Sequence, residues 1–249
     1  MDKTRLLRRV VITGAGGGLG FALVHTFVER GYEVIACFRK FDGREKVLME
    51  QLSQLDVKRV SLFELDLSDI DQIDNFAKVL KSKGLTVDVL INNAGIAHGT
   101  SFLLTKIKDI EECFKINLIG PLRLSQNIAR DMTKLCEGSI VFISSVTASE
   151  AVPGTLAYAL SKSAVSHLSK IMAQELAQFG VRVNCIAPGL VDTQMLKLNS
   201  LQLQKKLIDN SAQKRVAAAS EVAEAAFFLA SPASSHINGQ VLAVDGGRP

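Results

Sequence analysis

Short β-branched apolar runs alternate with longer helical patterns along nearly the whole sequence. Strands that alternate with helices predict βαβ units, and consecutive βαβ units predict a parallel sheet. The runs are apolar at almost every position, as expected of strands buried on both faces. The predicted strands lie at residues 10–12, 33–38, 60–65, 87–91, 139–143, 181–186 and 240–244, and the predicted helices at 19–29, 44–55, 69–81, 110–132, 157–179 and 221–229. We therefore expect an α/β fold, a doubly wound parallel sheet with helices on both faces.

We expect one domain over residues 1–249, because α/β chains of this size often fold as a single unit. Apolar residues make up 47% of the chain, which is enough for a sizeable core. The stretch 190–215 breaks the alternation, since it is polar and rich in Gln, Lys and Asn. We expect it to form a partly helical substrate lid over the site, with Met195 and Leu196 as candidate substrate contacts.

Charge and composition argue against several functions. The net charge is only +4, and the short basic run Arg5, Arg8 and Arg9 is typical of a solvated edge, so nucleic-acid binding is not expected. The four cysteines lie far apart without metal-ligand spacing, which indicates reduced thiols and no metal site. No apolar run approaches the roughly 18 residues of a membrane span, and the N-terminal stretch lacks the features of a secretory signal. We expect a cytoplasmic protein with neither nucleic acid nor membrane as a partner.

A glycine-rich turn follows the first predicted strand and precedes the first predicted helix. Glycines let the backbone turn tightly and approach a pyrophosphate, while the free N–H groups of the next helix favour phosphate charge. Taken alone, such a run also fits a flexible loop. Its place in the first βαβ unit favours dinucleotide binding and a Rossmann-like sheet. The candidate cofactor residues here are Gly14, Gly16, Gly17, Gly18, Leu19 and Gly20.

The end of the second predicted strand indicates which dinucleotide binds. An acidic residue there would hold the adenosine ribose hydroxyls and repel a 2′-phosphate. This chain instead has Phe38 followed by Arg39 and Lys40. Two cations can form charge-assisted hydrogen bonds with a 2′-phosphate, which favours NADP(H) over NAD. The alternative is that the two cations merely open a solvated loop.

Three polar residues indicate where the chemistry lies. Ser145 follows the strand predicted at 139–143, at the sheet edge where open α/β sheets bind ligands. Tyr158 and Lys162 are four residues apart on a predicted helix and share one face. A nearby ammonium group should lower the pKa of the phenol. Tyr158 could then exchange a proton with a carbonyl or alcohol oxygen, and Ser145 could hold that oxygen by a hydrogen bond.

Together these motifs resemble the short-chain dehydrogenase/reductase family, in particular its 3-oxoacyl-carrier-protein reductases, over essentially the whole chain. The glycine turn resembles the family's cofactor motif, and the set Ser145, Tyr158, Lys162 and Asn117 resembles its catalytic tetrad. The resemblance adds as cofactor-binding residues Asp66, Leu67, Asn93, Ala94, Gly95, Pro188, Gly189, Val191 and Thr193, besides Tyr158 and Lys162.

The resemblance also implies roles and an assembly. Lys162 would bind the nicotinamide ribose hydroxyls and lower the pKa of Tyr158, and Asn117 would support a water leading to Lys162. Hydride would pass directly between cofactor and substrate without a metal. Family members are commonly tetramers, so a homotetramer or homodimer is expected, built on the helix that contains Asn117 and the helix that ends before Gly180.

The chain departs from the family pattern at three positions. Gly17 stands where many NADP-using relatives carry an arginine in the glycine turn. Counted from Asn117 and Tyr158, the two basic residues by which the family's carrier-protein reductases hold an acyl carrier protein fall near Cys136 and Phe179, neither of which is basic. These departures put a carrier-protein substrate in question but leave the reaction type unchanged.

The sequence thus predicts an NADP-dependent oxidoreductase that acts on CH–OH groups. Its small-molecule substrate would be a carbonyl compound reduced by NADPH, a 3-oxoacyl thioester among the candidates. The first alternative is an NAD(P)-linked dehydrogenase of a sugar, steroid or other secondary alcohol. The second, from another class, is a binding protein that senses NADP(H) without turnover.

Overall fold

The computed structural model describes residues 7–194, 196 and 201–248, and at residues 201–203 and 206 it describes the backbone alone. Arg5 of the basic run and Met195 of the predicted lid lie outside this part of the chain. The cations Arg8 and Arg9 form ion pairs with Glu137 and Glu33. Between residues 7 and 248, no helix that the structure describes combines the length and apolar character needed to cross a membrane.

Seven parallel strands form one sheet, which confirms the predicted fold class. The spatial order is β3-β2-β1-β4-β5-β6-β7, and the chain order reverses direction between β1 and β4. The strands are β1 (Arg9–Thr13), β2 (Glu33–Phe38), β3 (Val60–Glu64), β4 (Val89–Asn92), β5 (Gly138–Ile143), β6 (Val181–Pro188) and β7 (Val241–Val244).

Eight α-helices connect and cover the strands in the described part of the chain. They are α1 (Gly18–Glu29), α2 (Arg44–Gln51), α3 (Ile70–Ser82), α4 (Ile107–Phe114), α5 (Gly120–Leu135), α6 (Leu156–Leu176), α7 (Leu201–Asp209) and α8 (Ala219–Ala230).

The long helix predicted at 110–132 is in fact two helices joined by a π-helical turn. Residues Lys115–Ile119 form this turn between α4 and α5, so the helical axis continues but one extra residue is accommodated. Apolar periodicity could not reveal it, because a single wide turn hardly disturbs the pattern on either side.

The core lies on both faces of the sheet, as the apolar strands predicted. Successive side chains of β1 point to opposite faces, so Val10 and Ile12 pack on one side and Val11 on the other. The first face is covered by α1, α2 and α8, and the second by α3, α5 and α6. Because every ladder is parallel, the carboxyl ends of all seven strands lie along one edge of the sheet.

Candidate active site

The glycine turn after β1 is packed too closely for side chains at two of its glycines. Gly14 has a φ of +69°, and a Cβ there would lie 2.8 Å from Ala94 Cα. A Cβ on Gly20 would collide with the carbonyl oxygen of Gly14, so the first turn of α1 lies directly on the glycine turn. Helix α1 begins after Gly17 with no side-chain cap and no acidic residue in its first turn. Its free N–H groups therefore suit an anion, which fits the pyrophosphate of a dinucleotide.

The segment after β4 is bonded to the same turn. Asn93 Nδ2 donates to the carbonyl oxygens of Thr13 and Gly14 at 2.9 and 3.2 Å. The backbone N–H groups of Asn93 and Ala94 both donate to Thr13 Oγ1, at 3.0 and 3.1 Å. These bonds join the ends of β1 and β4 at the point where the strand order reverses, which is where open α/β sheets bind their ligands.

The end of β2 carries the two predicted phosphate-binding cations. Phe38 is buried beneath Gly16, whereas Arg39 and Lys40 are exposed. Within the part of the chain that the structure describes, the Arg39 side chain has no hydrogen-bond or ion-pair partner and is available to a ligand.

The predicted adenine-contact residues after β3 have structural contacts of their own. Asp66 Oδ1 accepts a hydrogen bond from Ser68 N at 2.8 Å, and Asp66 N bonds the side chain of Gln72 at the start of α3. Leu67 is buried, and its carbonyl oxygen lies against Gly120 at the start of α5. The pair therefore lies at the carboxyl edge of the sheet, while its contact with adenine stays a prediction.

Ser145, Tyr158 and Lys162 converge at the end of β5. Ser144 Oγ donates to the carbonyl oxygen of Lys162 at 2.9 Å, which attaches α6 to the strand end. Ser145 is buried, and its Oγ accepts hydrogen bonds from Thr147 N and Oγ1 at 3.2 and 3.0 Å. Helical spacing places Lys162 Nζ 5.7 Å from the centre of the Tyr158 ring.

Lys162 is an almost fully buried cation. Only 4% of the residue is exposed, and its Nζ donates to the carbonyl oxygen of Ile143 at 2.7 Å. No carboxylate among the described residues forms an ion pair with it. Burial lowers the pKa of Lys162 to about 8, so the ammonium form still predominates at neutral pH.

The pKa of Tyr158 moves in the direction opposite to the one expected. Burial raises it to about 12, and a hydrogen bond with Ser145 offsets only part of that rise. In the protein by itself, desolvation of the phenolate therefore outweighs any lowering of this pKa by Lys162, whose proposed effect stays a prediction. A positively charged oxidised nicotinamide would act in the lowering direction.

Asn117 lies in the π-helical turn, and both polar atoms of its side chain form hydrogen bonds. Its Oδ1 accepts from Ile96 N at 2.8 Å, and its Nδ2 donates to Ile96 O and Ser161 Oγ, both at 2.9 Å. A Cβ on Gly95 would lie 3.2 Å from Asn117 Oδ1 and 3.3 Å from Lys162 Nζ. Asn117 and Lys162 thus border the same small space above Gly95, and a glycine is needed to keep it open.

The segment after β6 contains the last of the predicted cofactor-binding residues. Gly189 packs on Asp245, where a Cβ would lie 2.9 Å from Asp245 Cα. Val191 forms a bridge with Ala217, and the Thr193 side chain reaches Gly18, whose Cβ would lie 3.3 Å from Thr193 Cγ2. The predicted residues from Pro188 to Thr193 therefore lie beside the glycine turn.

Three residues that sequence reasoning missed also belong to this region. Arg44 lies against Gly16 in the glycine turn. The thiols of Cys113 and Cys185 are buried close enough to Lys162 to act on its pKa electrostatically. Cys113 could have been found, because it precedes Asn117 by four residues and so shares its helix face.

The arrangement is suited to proton transfer at an oxygen atom. A hydroxyl donor, a second hydroxyl and a buried ammonium group meet at the carboxyl edge of the sheet, beside a turn built for a dinucleotide. Such groups act strongly because they are held in place and shielded from water.

The chain is similar to known proteins in both sequence and structure. Residues 14–248 match the family model described as Enoyl-(Acyl carrier protein) reductase. The chain is 32% identical over 240 residues to the 3-oxoacyl-[acyl-carrier-protein] reductase FabG of Chlamydia trachomatis, covering 96% of each chain. It is 31% identical to 7 alpha-hydroxysteroid dehydrogenase complexed with NADH and 7-oxo glycochenodeoxycholic acid, with a TM-score of 0.90 over 97% of this chain and 94% of that one. It is 29% identical to ElxO with NADP bound, with a TM-score of 0.89 over 97% and 98% of the two chains.

Proposed function

The chain belongs to the short-chain dehydrogenase/reductase family, and from that membership we propose that it is an NADPH-dependent reductase that converts a carbonyl group to an alcohol. The family supports an enzyme that acts on CH–OH groups with a nicotinamide cofactor. The observation that carries the finer proposal is the convergence of Ser145, Tyr158 and Lys162 beside a glycine turn flanked by Arg39 and Lys40.

The cofactor would lie along the carboxyl edge of the sheet. The glycine turn and the start of α1 would hold its pyrophosphate, and the exposed cations Arg39 and Lys40 would hold a 2′-phosphate. Lys162 would bind the nicotinamide ribose, with the segment Pro188–Thr193 nearby. NADPH, when bound, would supply the hydride that reduces the carbonyl carbon.

Tyr158 is proposed as the proton donor. A pKa of about 12 keeps the phenol protonated at neutral pH, as a donor requires. Ser145 Oγ would donate a hydrogen bond to the same carbonyl oxygen and stabilise the negative charge that develops there. In the oxidation direction the proton would return to Tyr158 as the alcohol is oxidised.

Lys162 and Asn117 are proposed as supports of that step. The buried ammonium group of Lys162 would stabilise the phenolate that remains after proton donation. Asn117 borders the same space above Gly95 and would hold the water through which the proton is replaced from solvent.

The substrate proposed first is a 3-oxoacyl thioester, by similarity to the reductases described above. The carrier of the thioester is a separate question. Cys136 and Phe179 are exposed and uncharged, so they offer an acyl carrier protein no cationic contact at those positions. This favours a small thioester over one attached to a carrier protein. A steroid or sugar alcohol is the alternative substrate, favoured by the likeness to 7 alpha-hydroxysteroid dehydrogenase.

Residues 190–215 are proposed as the substrate lid. Both ends of this stretch are fixed, since Ala217 N donates to Leu190 O at 2.9 Å and Asp192 N donates to Ala217 O at 3.0 Å. Between these fixed ends the chain carries α7, and a loop of this kind that closes over a cofactor is typical of a lid. Residues 195 and 197–200 of the lid lie outside the described part of the chain.

A homo-oligomer is proposed as the working form. Phe102 and Leu103, just before α4, are 75% and 89% exposed, and Leu104 and Ile107 continue the same apolar patch. An exposed apolar patch of this kind is typical of a protein–protein interface. The tetrameric or dimeric state and the cytoplasmic location both stay predictions.

Reduction of acetoacetyl thioesters, followed by NADPH absorbance, tests the proposal. We expect a lower KM for NADPH than for NADH. Tyr158→Phe should lower kcat by about 10²- to 10⁴-fold, the usual contribution of a general acid, with the Kd for NADPH unchanged.

The matched control is Tyr32→Phe, because the chain has only two tyrosines and Tyr32 packs edge-on against Phe27 in the core. That variant should retain wild-type rates. Full activity in Tyr158→Phe would overturn the mechanism, and an equal or lower KM for NADH would overturn the cofactor assignment. A protein that binds NADPH and turns over no carbonyl compound would favour the sensing role instead.

A further inference from the structure

Arg44 lies at the junction of the two segments that should surround the adenosine ribose. It is the first residue of α2, yet its Nε would be 3.4 Å from a Cβ on Gly16. Phe38, the last residue of β2, contacts the same glycine, with its Cδ1 3.0 Å from that Cβ position. The ribose of a dinucleotide bound at such a turn lies between the turn and the end of the second strand. Arg44 therefore borders the region that the 2′ position would occupy.

The loop between β2 and α2 holds Arg44 in this position. Glu64 Oε1 accepts a hydrogen bond from Phe41 N at 2.6 Å, and Glu45 Oε2 accepts one from Gly43 N at 2.9 Å. Gly43, the residue before α2, adopts a φ of +99°, a left-handed conformation that favours glycine. Hydrogen bonds to the backbone of this loop therefore hold Arg44 in its position.

The guanidinium of Arg44 already binds the carboxylate of Asp42 through two N–H groups. Its Nε donates to Asp42 Oδ1 at 2.9 Å, and its Nη2 donates to Asp42 Oδ2 at 2.7 Å. Arginine binds phosphate with the same fork that it uses for carboxylate. It also has five N–H groups, so Nη1 and the second hydrogen of Nη2 remain for another acceptor. The Asp42 carboxylate therefore occupies the Nε side of the guanidinium, and among the described residues nothing accepts a hydrogen bond from Nη1, which is the side left for a second oxyanion.

We propose that Arg44 is a specificity-determining residue that binds the 2′-phosphate of NADP(H) together with Arg39 and Lys40. The inference rests on the proposed function, since it assumes that a dinucleotide binds at the glycine turn. The proposed role of Arg44 also compensates for Gly17, since the glycine turn has no cation at that position. The cation beside the glycine turn comes instead from α2.

Direct binding of two nucleotides separates the 2′-phosphate from the rest of the cofactor. Adenosine 2′,5′-bisphosphate and 5′-AMP differ only in that phosphate, and titration calorimetry measures both without turnover. The wild-type protein should bind the bisphosphate more tightly. Arg44→Ala should weaken bisphosphate binding by about 10- to 100-fold, as expected for a hydrogen-bonded charge pair, and leave 5′-AMP binding unchanged.

Two further variants make the result specific. Arg44→Lys keeps the charge but loses the fork, so its affinity for the bisphosphate should fall between those of wild type and Arg44→Ala. Arg30→Ala is the matched control, because Arg30 is also an exposed arginine paired with a carboxylate, Glu224, but lies at the far end of α1. It should bind both nucleotides as the wild type does.

Each outcome has a distinct meaning. An equal loss for both nucleotides in Arg44→Ala would make Arg44 part of the wall of the site and overturn its role in specificity. No loss for either nucleotide would also overturn it, while the preference of the wild type for the bisphosphate would leave the proposed function intact. If the wild type itself binds 5′-AMP as tightly as the bisphosphate, the NADP assignment fails, and the proposed role of Arg44 fails with it.

Discussion

Lys162 is a residue at which the proposed activity conflicts with stability. Lys162 is only 4% exposed and has lost most of its hydration, and within the described part of the chain its Nζ donates a hydrogen bond to one acceptor, the carbonyl oxygen of Ile143. Burial without an ionised partner disfavours the charged form, which is why its pKa falls from 10.5 to about 8. The fold tolerates this cost at a helix position where the ammonium group lies 5.7 Å from the centre of the Tyr158 ring.

The pH dependence of stability should reveal that cost. Between about pH 8 and 10.5 the unfolded chain holds the Lys162 proton and the folded chain does not, so unfolding free energy rises with pH in this window. The penalty, about 3 kcal/mol at most, is fully present below pH 8 and absent above 10.5. Lys162→Met removes it, so its stability relative to wild type should fall by up to about 3 kcal/mol between pH 7 and 10.5.

Denaturant unfolding at several pH values measures the effect. Lys170→Met is the control, because Lys170 is an exposed residue of the same helix, and its pH dependence should match that of the wild type. A constant difference between Lys162→Met and wild type over this range would show that burial does not perturb the lysine.

At the residue scale, sequence reasoning identified side chains but not their surroundings. The spacing of Tyr158 and Lys162 on one helix was enough to put them together, since helical periodicity is local. The acceptor for Lys162 is a carbonyl oxygen of β5, and the rise in the pKa of Tyr158 comes from desolvation. Both depend on how α6 packs against the sheet, which no local pattern encodes. Arg44 was missed for the same reason, because its contact with Gly16 requires the turn at Gly43.

At the scale of elements, the glycine turn and α1 form a single packed unit. The same run of glycines contains positions with opposite tolerance for a side chain. A Cβ on Gly20 would meet the carbonyl oxygen of Gly14 and the Cα of Ala15, both backbone atoms that cannot move aside. A Cβ on Gly17 would meet only Gly14 O, at 3.8 Å, and Gly17 has an extended conformation with a φ of −99°.

Alanine at these two positions should therefore act in opposite directions. Gly20→Ala should destabilise the fold by at least about 1–3 kcal/mol, the usual cost of overpacking. Gly17→Ala should be neutral or stabilising by up to about 1 kcal/mol, because it restricts the unfolded chain. Chemical denaturation of the two variants compares them directly. Similar losses at both positions would contradict the packing described for this turn.

The π-helical turn marks the limit of prediction at this scale. Strands and most helices follow from apolar periodicity, and their predicted positions agree with the structure to within a few residues. The widened turn at Lys115–Ile119 depends instead on the three hydrogen bonds that Asn117 makes with Ile96 and Ser161. Those partners come from distant parts of the chain, so the wide turn is a consequence of tertiary contacts.

At the scale of the whole molecule, the last described residues connect the segment that follows α7 to the loop that follows Ser145. After α7, Ala212 N and Gln213 N donate to the carbonyl oxygens of Gly247 and Gly246, both at 3.0 Å. Arg248 then forms an ion pair at 2.8 Å with Glu150, which lies in the loop that follows Ser145. The Arg248 side chain is only 8% exposed, so this pair is better shielded than most surface ion pairs.

Loss of the ion pair between Arg248 and Glu150 should make local opening of the loop that follows Ser145 more frequent. We expect Arg248→Met to speed hydrogen exchange at the amides of Ala148 and Glu150, which donate to Ser145 O and Val146 O. It should lower kcat/KM for the carbonyl substrate several-fold, within the ~10-fold that about 1.4 kcal/mol represents, while binding of adenosine 2′,5′-bisphosphate stays the same.

The control for this prediction is Arg30→Met, whose exposed ion pair with Glu224 is remote from the loop. Unchanged exchange at Ala148 and Glu150 in Arg248→Met would show that the ion pair has no part in positioning Ser145.

The all-parallel sheet also constrains how quickly this protein can fold. No two neighbouring strands of the sheet are joined by a hairpin, and β1 must pair Val10 with Val89 of β4 on one side and with Val34 of β2 on the other. Each pairing closes a long loop whose entropy is lost before any contact compensates for it, so such topologies fold slowly. The proposed catalytic edge is made from the ends of several of these strands. It can therefore form only late in folding, when the last of the long loops has closed.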